Sequence, residues 1–117
     1  MYRSHRLRKV PITYQWEIHV SRSVARGGNV LNFPREYTRN CLKKAHTTIY
    51  LVDSSSGRVF RSPIFTSSKH DEDKFIYSGW IRFVKANSLR FKDKVVLNAK
   101  HGNNVLDVHI IRGSQSS

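Results

Sequence analysis

Two arginines, Arg22 and Arg26, stand four apart in a stretch of small and polar residues, Ser21-Arg22-Ser23-Val24-Ala25-Arg26-Gly27-Gly28-Asn29. A guanidinium is a planar fork of N–H donors that can pair bidentately with guanine O6 and N7 or with a phosphate. Ser21, Ser23 and Asn29 can donate to phosphate or meet a base edge. Gly27 and Gly28 would let the backbone approach a partner closely. The same residues equally make an ordinary solvated loop with two exposed arginines. Other constellations carry less. Cys41 and His46 are five apart, but zinc takes about four ligands and no second pair stands near. Six histidines and many serines permit a Ser-His-Asp set on paper, yet no G-x-S-x-G elbow occurs. Gly27-Gly28 lacks the downstream Gly-Lys-Ser/Thr of a phosphate loop. The expectation is no enzymatic activity, no metal, no cofactor and no small-molecule substrate.

Charge narrows the partner. Lys and Arg number 21 against 8 acids, a net +13 with a pI near 10.5. Such an excess repels itself, and the usual reason to keep it is a polyanion: DNA, RNA or an anionic membrane surface. Solubility alone is served better by acids. Arg3, Arg6, Arg8 and Lys9 lie in residues 1–13, which read as a flexible flank suited to nuclear import or phosphate contact. Without those four, seventeen bases still face eight acids, so the folded part is basic too. The 117 residues, 38% hydrophobic and 11% aromatic, fit one domain with one core rather than a disordered chain. No apolar run approaches the roughly 18 residues of a membrane span, and the N-terminus lacks the hydrophobic segment of a secretory signal. Cys41 is the only cysteine, which excludes an intrachain disulfide and fits a reducing compartment such as cytosol or nucleus.

The elements that must carry these residues are short. Trp16-Glu17-Ile18-His19-Val20 alternates as a half-buried strand, and residues 30–33 resume as another. Pro34 suits a first helical position and Glu36 the helix dipole, so a helix is predicted over residues 34–42, with Tyr37 and Cys41 inward and Arg35, Arg39, Lys43 and Lys44 in solvent. Residues 47–52 are β-rich, 53–57 a turn, and 58–65 the hairpin partner, with Pro63 marking a bulge or an edge. Residues 66–74, Thr-Ser-Ser-Lys-His-Asp-Glu-Asp-Lys, hold no apolar side chain and read as a loop. Residues 75–77 form a short strand and Ser78-Gly79 a turn. Trp80, Phe83 and Val84 then share one helical face, with Arg82 and Lys85 opposite and Leu89 as an apolar plug. Val95-Val96-Leu97 and residues 105–111 complete the strands, Leu106, Val108 and Ile110 facing one way. About seven strands and two short helices suggest a small, mostly antiparallel barrel.

In this order the pieces resemble the plant B3 DNA-binding domain, most like its divergent reproductive-meristem class. The resemblance runs from about residue 16 to 111. It is carried by the Val-Leu-Asn-Phe-Pro entry to a helix and by the IYLVDSSSGRVF hairpin, with Phe60 where Trp is common. The most specific part is GWIRFVKANSL followed by KDKVVL, set against G-W-x-x-F-V-x-x-N-x-L-x-x-G-D. It implies a seven-stranded open antiparallel pseudobarrel with two short α-helices, spanning residues 14–112 between a basic arm (1–13) and a tail (113–117). It also implies a nuclear plant transcription factor that grips the major groove of double-stranded DNA with two arms. The first arm would be residues 21–29, with Arg22, Ser23, Arg26, Gly28 and Asn29 as contacts. The second would be residues 61–74, with Arg61, Thr66, Ser67, Ser68, Lys69 and Lys74, and His70 adding a proton-dependent contact. A weakly selective nucleic-acid binder and a protein-interaction module are the alternatives. Two departures matter. Lys92 stands where Gly is usual, and Asp71-Glu72-Asp73 sit in an arm that is rich in Ser, Thr and Arg in relatives. Those acids would repel phosphate unless they turn away.

Overall fold

The computed structural model describes residues 13–100 and 102–113. The expected basic arm and tail therefore lie outside the described residues, apart from Thr13 and Gly113. Seven strands and three short helices follow in the order β1 (Thr13–His19), α1 (Arg22–Ala25), β2 (Leu31–Asn32), α2 (Arg35–Asn40), β3 (Thr48–Asp53), β4 (Val59–Thr66), β5 (Lys74–Ile76), α3 (Ser78–Ala86), β6 (Lys94–Lys100) and β7 (Val105–Ile111). The strands make one sheet in the order β1-β6-β7-β3-β4-β5-β2. β1 and β2 are its two ends and do not pair with each other, which makes it the open pseudobarrel. Every neighbouring pair is antiparallel except β3 with β7, which run parallel in register Tyr50↔Val105 to Asp53↔Val108. A parallel pair needs a long crossover, and here three strands and α3 lie between the two partners.

β4 joins the two halves of the sheet. It pairs with β3 as far as Thr48↔Pro63, then with β5 from Ile64↔Ile76 to Thr66↔Lys74. Pro63 sits at the hand-over, where its missing N–H interrupts no β5 ladder. Residues 105–111 alternate as their pattern predicts, Leu106 and Val108 buried and Asp107 and His109 exposed.

α3 plugs the barrel. Gly79, Trp80, Phe83 and Val84 are its buried residues, with Trp80 stacked on Phe83 at 5.8 Å and Phe60 edge-on to Phe83 at 5.4 Å. Replacing such a ring by Ala in a core costs roughly 3–5 kcal/mol. Gly79 lies inside the helix rather than in a turn before it. An added Cβ would stand 2.4 Å from Ser62 Cβ and 2.8 Å from the Arg61 carbonyl oxygen, so only glycine lets α3 press this closely on β4. The Gly79 N–H donates to the buried Ser62 Oγ at 3.1 Å. The helix ends in a left-handed Ser88 (φ 50°), with Ser88 N–H on the Lys85 carbonyl and Leu89 N–H on the Val84 carbonyl. Leu89 folds back into the core as the predicted plug.

The other end of the core is an aromatic cluster under α2. Tyr37 packs against Trp16 at 5.1 Å and Phe33 at 5.2 Å, with Tyr14 at 6.4 Å. Burial pushes the Tyr37 hydroxyl far above its ordinary pKa, and it pushes up the Cys41 thiol too, with the Glu36 charge adding to the effect.

Candidate nucleic-acid interface

The first arm is not a loose loop. Ser21 caps a single helical turn, its Oγ accepting from Val24 N–H at 3.1 Å. Gly27 ends the turn at φ +77°, donating to the Val24 carbonyl at 2.8 Å, and Gly28 donates to the Ser23 carbonyl at 3.0 Å. The two glycines thus close a short capped helix. Arg22 and Arg26 are exposed on it, and no carboxylate among the described residues lies within ion-pair distance of either. Arg22 does have a resting place: its guanidinium lies 4.1 Å from the ring centre of Phe91, an exposed residue of the loop between α3 and β6. A cation over an aromatic face is held by the ring's quadrupole. Ser23 is half-buried, while Gly28 and Asn29 are exposed.

A buried carboxylate braces the root of this arm. Asp93 accepts from Arg90 N–H at 2.8 Å, Gly113 N–H at 2.9 Å and Arg112 Nη1 at 2.9 Å. Burial alone would raise its pKa, but the Gly113 and Arg90 N–H groups and the Arg112 guanidinium outweigh it and hold the carboxyl below the usual range. Arg112 also donates to the Asn87 carbonyl at 2.7 Å, placing a cation at the C-terminus of α3. The Val20 N–H donates to the Asp93 carbonyl, and Lys92 N–H to the Val20 carbonyl. Lys92 has φ +82°, so the departure from glycine at this position is a lysine held in a left-handed conformation.

The second arm is a hairpin whose base is the Thr66↔Lys74 pair, closed by Ser67 N–H on the Asp73 carbonyl at 2.8 Å. Lys74 Nζ donates to Thr66 Oγ1 at 2.7 Å, so these two expected contacts face each other. Ser67 is half-buried and its Oγ accepts from Lys69 N–H; Ser68 and Lys69 are exposed at the tip. His70 Nδ1 accepts the Glu72 N–H at 3.1 Å. Two of the three acids turn away from the tip. Arg35 binds Asp73 through Nε (2.6 Å) and Nη2 (3.0 Å), and Arg39 binds Glu72 through the same two nitrogens at 3.0 Å each. Arg35 and Arg39, predicted to be solvated, are therefore paired. Each carboxyl sits below its usual pKa because of the arginine hydrogen bond. Asp71 remains in solvent, its side chain 77% exposed.

Arg61 is exposed on β4, and its carbonyl accepts from the Arg82 guanidinium of α3. Lys85, one turn further along α3, has its Cε beside Gly27 of the first arm. Arg82, Lys85 and the first arm thus form one basic band along α3, whereas the Arg61 side chain alternates to the face of β4 opposite Ser62, the residue that meets α3. Arg82 and Lys85 had only their i, i+3 spacing to mark them as a shared face. Nothing in the sequence placed that face between the first arm and β4. Among the described residues no three His, Cys, Asp or Glu converge as a metal site, and no helix is long and apolar enough to cross a membrane.

The family model of the B3 DNA binding domain matches residues 17–114. The solved structure of a hypothetical Arabidopsis thaliana protein is similar in fold, with a TM-score of 0.68 over 87% of this chain and 93% of that one, at 20% identity. No curated protein sequence matches the chain.

Proposed function

Because the chain belongs to the B3 DNA binding domain family, we propose that it is the DNA-binding module of a nuclear plant transcription factor, of the reproductive-meristem-like class. The domain occupies about residues 14–112 and takes double-stranded DNA as its partner. The observation that carries the reading is the first arm: two exposed arginines with no acid beside them, on a capped turn that adjoins Lys85 and Arg82 of α3. The +13 charge draws the duplex in. Lysines and arginines then set the register on phosphates, and Arg22, Arg26 and Asn29 reach base edges in the major groove. Ser68 and Lys69, at the tip of the second arm, suit phosphate positioning. Phosphate contacts numbering about four to seven give a log–log salt slope of roughly −4 to −6.

A second reading, duplex binding with little sequence preference, is favoured by the solvated Asp71 and by Lys74 being tied to Thr66. The test is a fluorescence titration of duplex DNA with the Arg22→Ala, Arg26→Ala double variant across a salt series. Affinity is expected to fall at least about tenfold, or about 1.4 kcal/mol. The salt slope should become shallower by about 0.9 for each phosphate that is no longer neutralised, while circular dichroism and melting stay as in the wild type. Unchanged affinity would remove the first arm from the interface.

A further inference from the structure

On the DNA-binding reading above, we propose that Arg35 and Arg39 of α2 are positioning residues that clamp the second arm in its reading orientation through Asp73 and Glu72. Residues 66–74 have no apolar side chain, so burial cannot fix where the arm points. The base of the arm is set by the β4–β5 ladder and by the stack of Phe65 on Phe75 at 5.5 Å. Beyond that base, the side-chain ties among the described residues from the arm to another element are the two arginine forks.

The geometry suits a clamp. Arg35 and Arg39 are four apart, so they share one face of α2 one turn from each other. Glu72 and Asp73 are adjacent in the chain. A single ion pair would leave the arm free to swivel about it, whereas two bidentate pairs side by side define a direction. The helix that carries the forks is itself anchored, with Tyr37, Thr38, Cys41 and Leu42 buried beneath it. A contact set on a rigid element transmits that rigidity to what it holds. The four side chains are roughly one-third to one-half exposed, where a lone ion pair counts for little. Planar bidentate pairing of arginine with carboxylate is the exception to that rule. The clamp also explains how an acidic arm can belong to a DNA-binding protein: it spends two carboxylates on the helix instead of presenting them to phosphate.

Clamp and plain charge give opposite signs. Replacing the two acids by amides removes two negative charges, which by electrostatics alone tightens binding to every duplex equally. Loss of a clamp instead weakens the duplex that the arm reads. The experiment uses the full chain carrying Glu72→Gln with Asp73→Asn. Two probes are compared: a duplex recovered by wild-type protein from a random-sequence pool, and a scrambled duplex of equal length and composition. The affinity ratio between them is expected to fall at least about fivefold, with the scrambled duplex bound as well as before or better. Amide hydrogen exchange across residues 67–73 of the free protein is expected to speed up at least about tenfold, with the strands unchanged. Exchanging the partners, Arg35→Asp with Asp73→Arg, is expected to recover part of both. An unchanged ratio, or unchanged exchange, overturns the clamp while leaving DNA binding intact. A wild type that binds duplexes tightly but recovers no motif also overturns it, since there is then no reading orientation to hold. A wild type that binds no duplex overturns the DNA-binding reading itself.

Discussion

Replacing Asp93 by alanine should cost more stability than any other single carboxylate change in this domain. Its carboxyl is completely buried and holds three donors: the N–H groups of Arg90 and Gly113 and the guanidinium of Arg112. Each hydrogen bond is worth about 1 kcal/mol net, more when a charge is involved, and a buried donor stripped of its acceptor costs about 1–3 kcal/mol. Together these give a loss of about 3–5 kcal/mol, a large share of the 5–15 kcal/mol typical of a domain. At this size that is a fall in Tm of roughly 10–20 °C. Urea and thermal unfolding followed by circular dichroism and tryptophan fluorescence measure it, since Trp16 and Trp80 report on opposite ends of the core. The sign of the pH effect follows from the depressed carboxyl. Its contribution is complete above the ordinary aspartate range and fades as pH drops below about 4 through the folded-state value. Wild-type stability should therefore decline in acid, and Asp93→Asn should flatten that decline. A loss under about 1 kcal/mol for the alanine variant, or an acid profile identical to wild type in Asp93→Asn, would refute the reasoning.

Two further perturbations probe the backbone around the site. Lys92→Gly removes a left-handed penalty of about 1–2 kcal/mol at φ +82° against a glycine entropy cost of about 0.5–1 kcal/mol. A rise in Tm of a few degrees is expected, and a fall would mean that the lysine side chain stabilises the turn. Gly79→Ala places a methyl 2.4 Å from Ser62 Cβ and 2.8 Å from the Arg61 carbonyl oxygen, forcing α3 off β4. It should cost about 1–3 kcal/mol in urea unfolding, and a neutral result would show that α3 tolerates a looser seat.

Much of the fold is written in local pattern. The alternation over residues 105–111, the Trp80-Phe83-Val84 face and the Leu89 plug each appear where their spacing places them, because burial acts on neighbouring residues directly. α1 has little local pattern to mark it. Four residues are too few to show a helical period, although Ser21 and Gly27-Gly28 supplied both caps. The Ser78-Gly79 pair resembles a turn because the contact that demands glycine comes from β4, 17 residues away. Partners of Arg35 and Arg39 lie 38 and 33 residues downstream, so helical spacing revealed the shared face but not what lay opposite. The same holds for the parallel β3–β7 pair and for the docking of Arg112 and Gly113 onto Asp93. Both are set by how the sheet curls rather than by any run of residues.

On the proposed reading, a duplex is gripped by two arms with the basic band of α3 beside the first. A nitrogen-15 NMR titration with short duplex DNA tests it most directly. Shifts should concentrate at residues 21–29 and 66–74 and at Arg82 and Lys85, and should weaken together as salt is raised. Shifts confined to the β1–β6 end of the sheet, or no shifts at all, would contradict it.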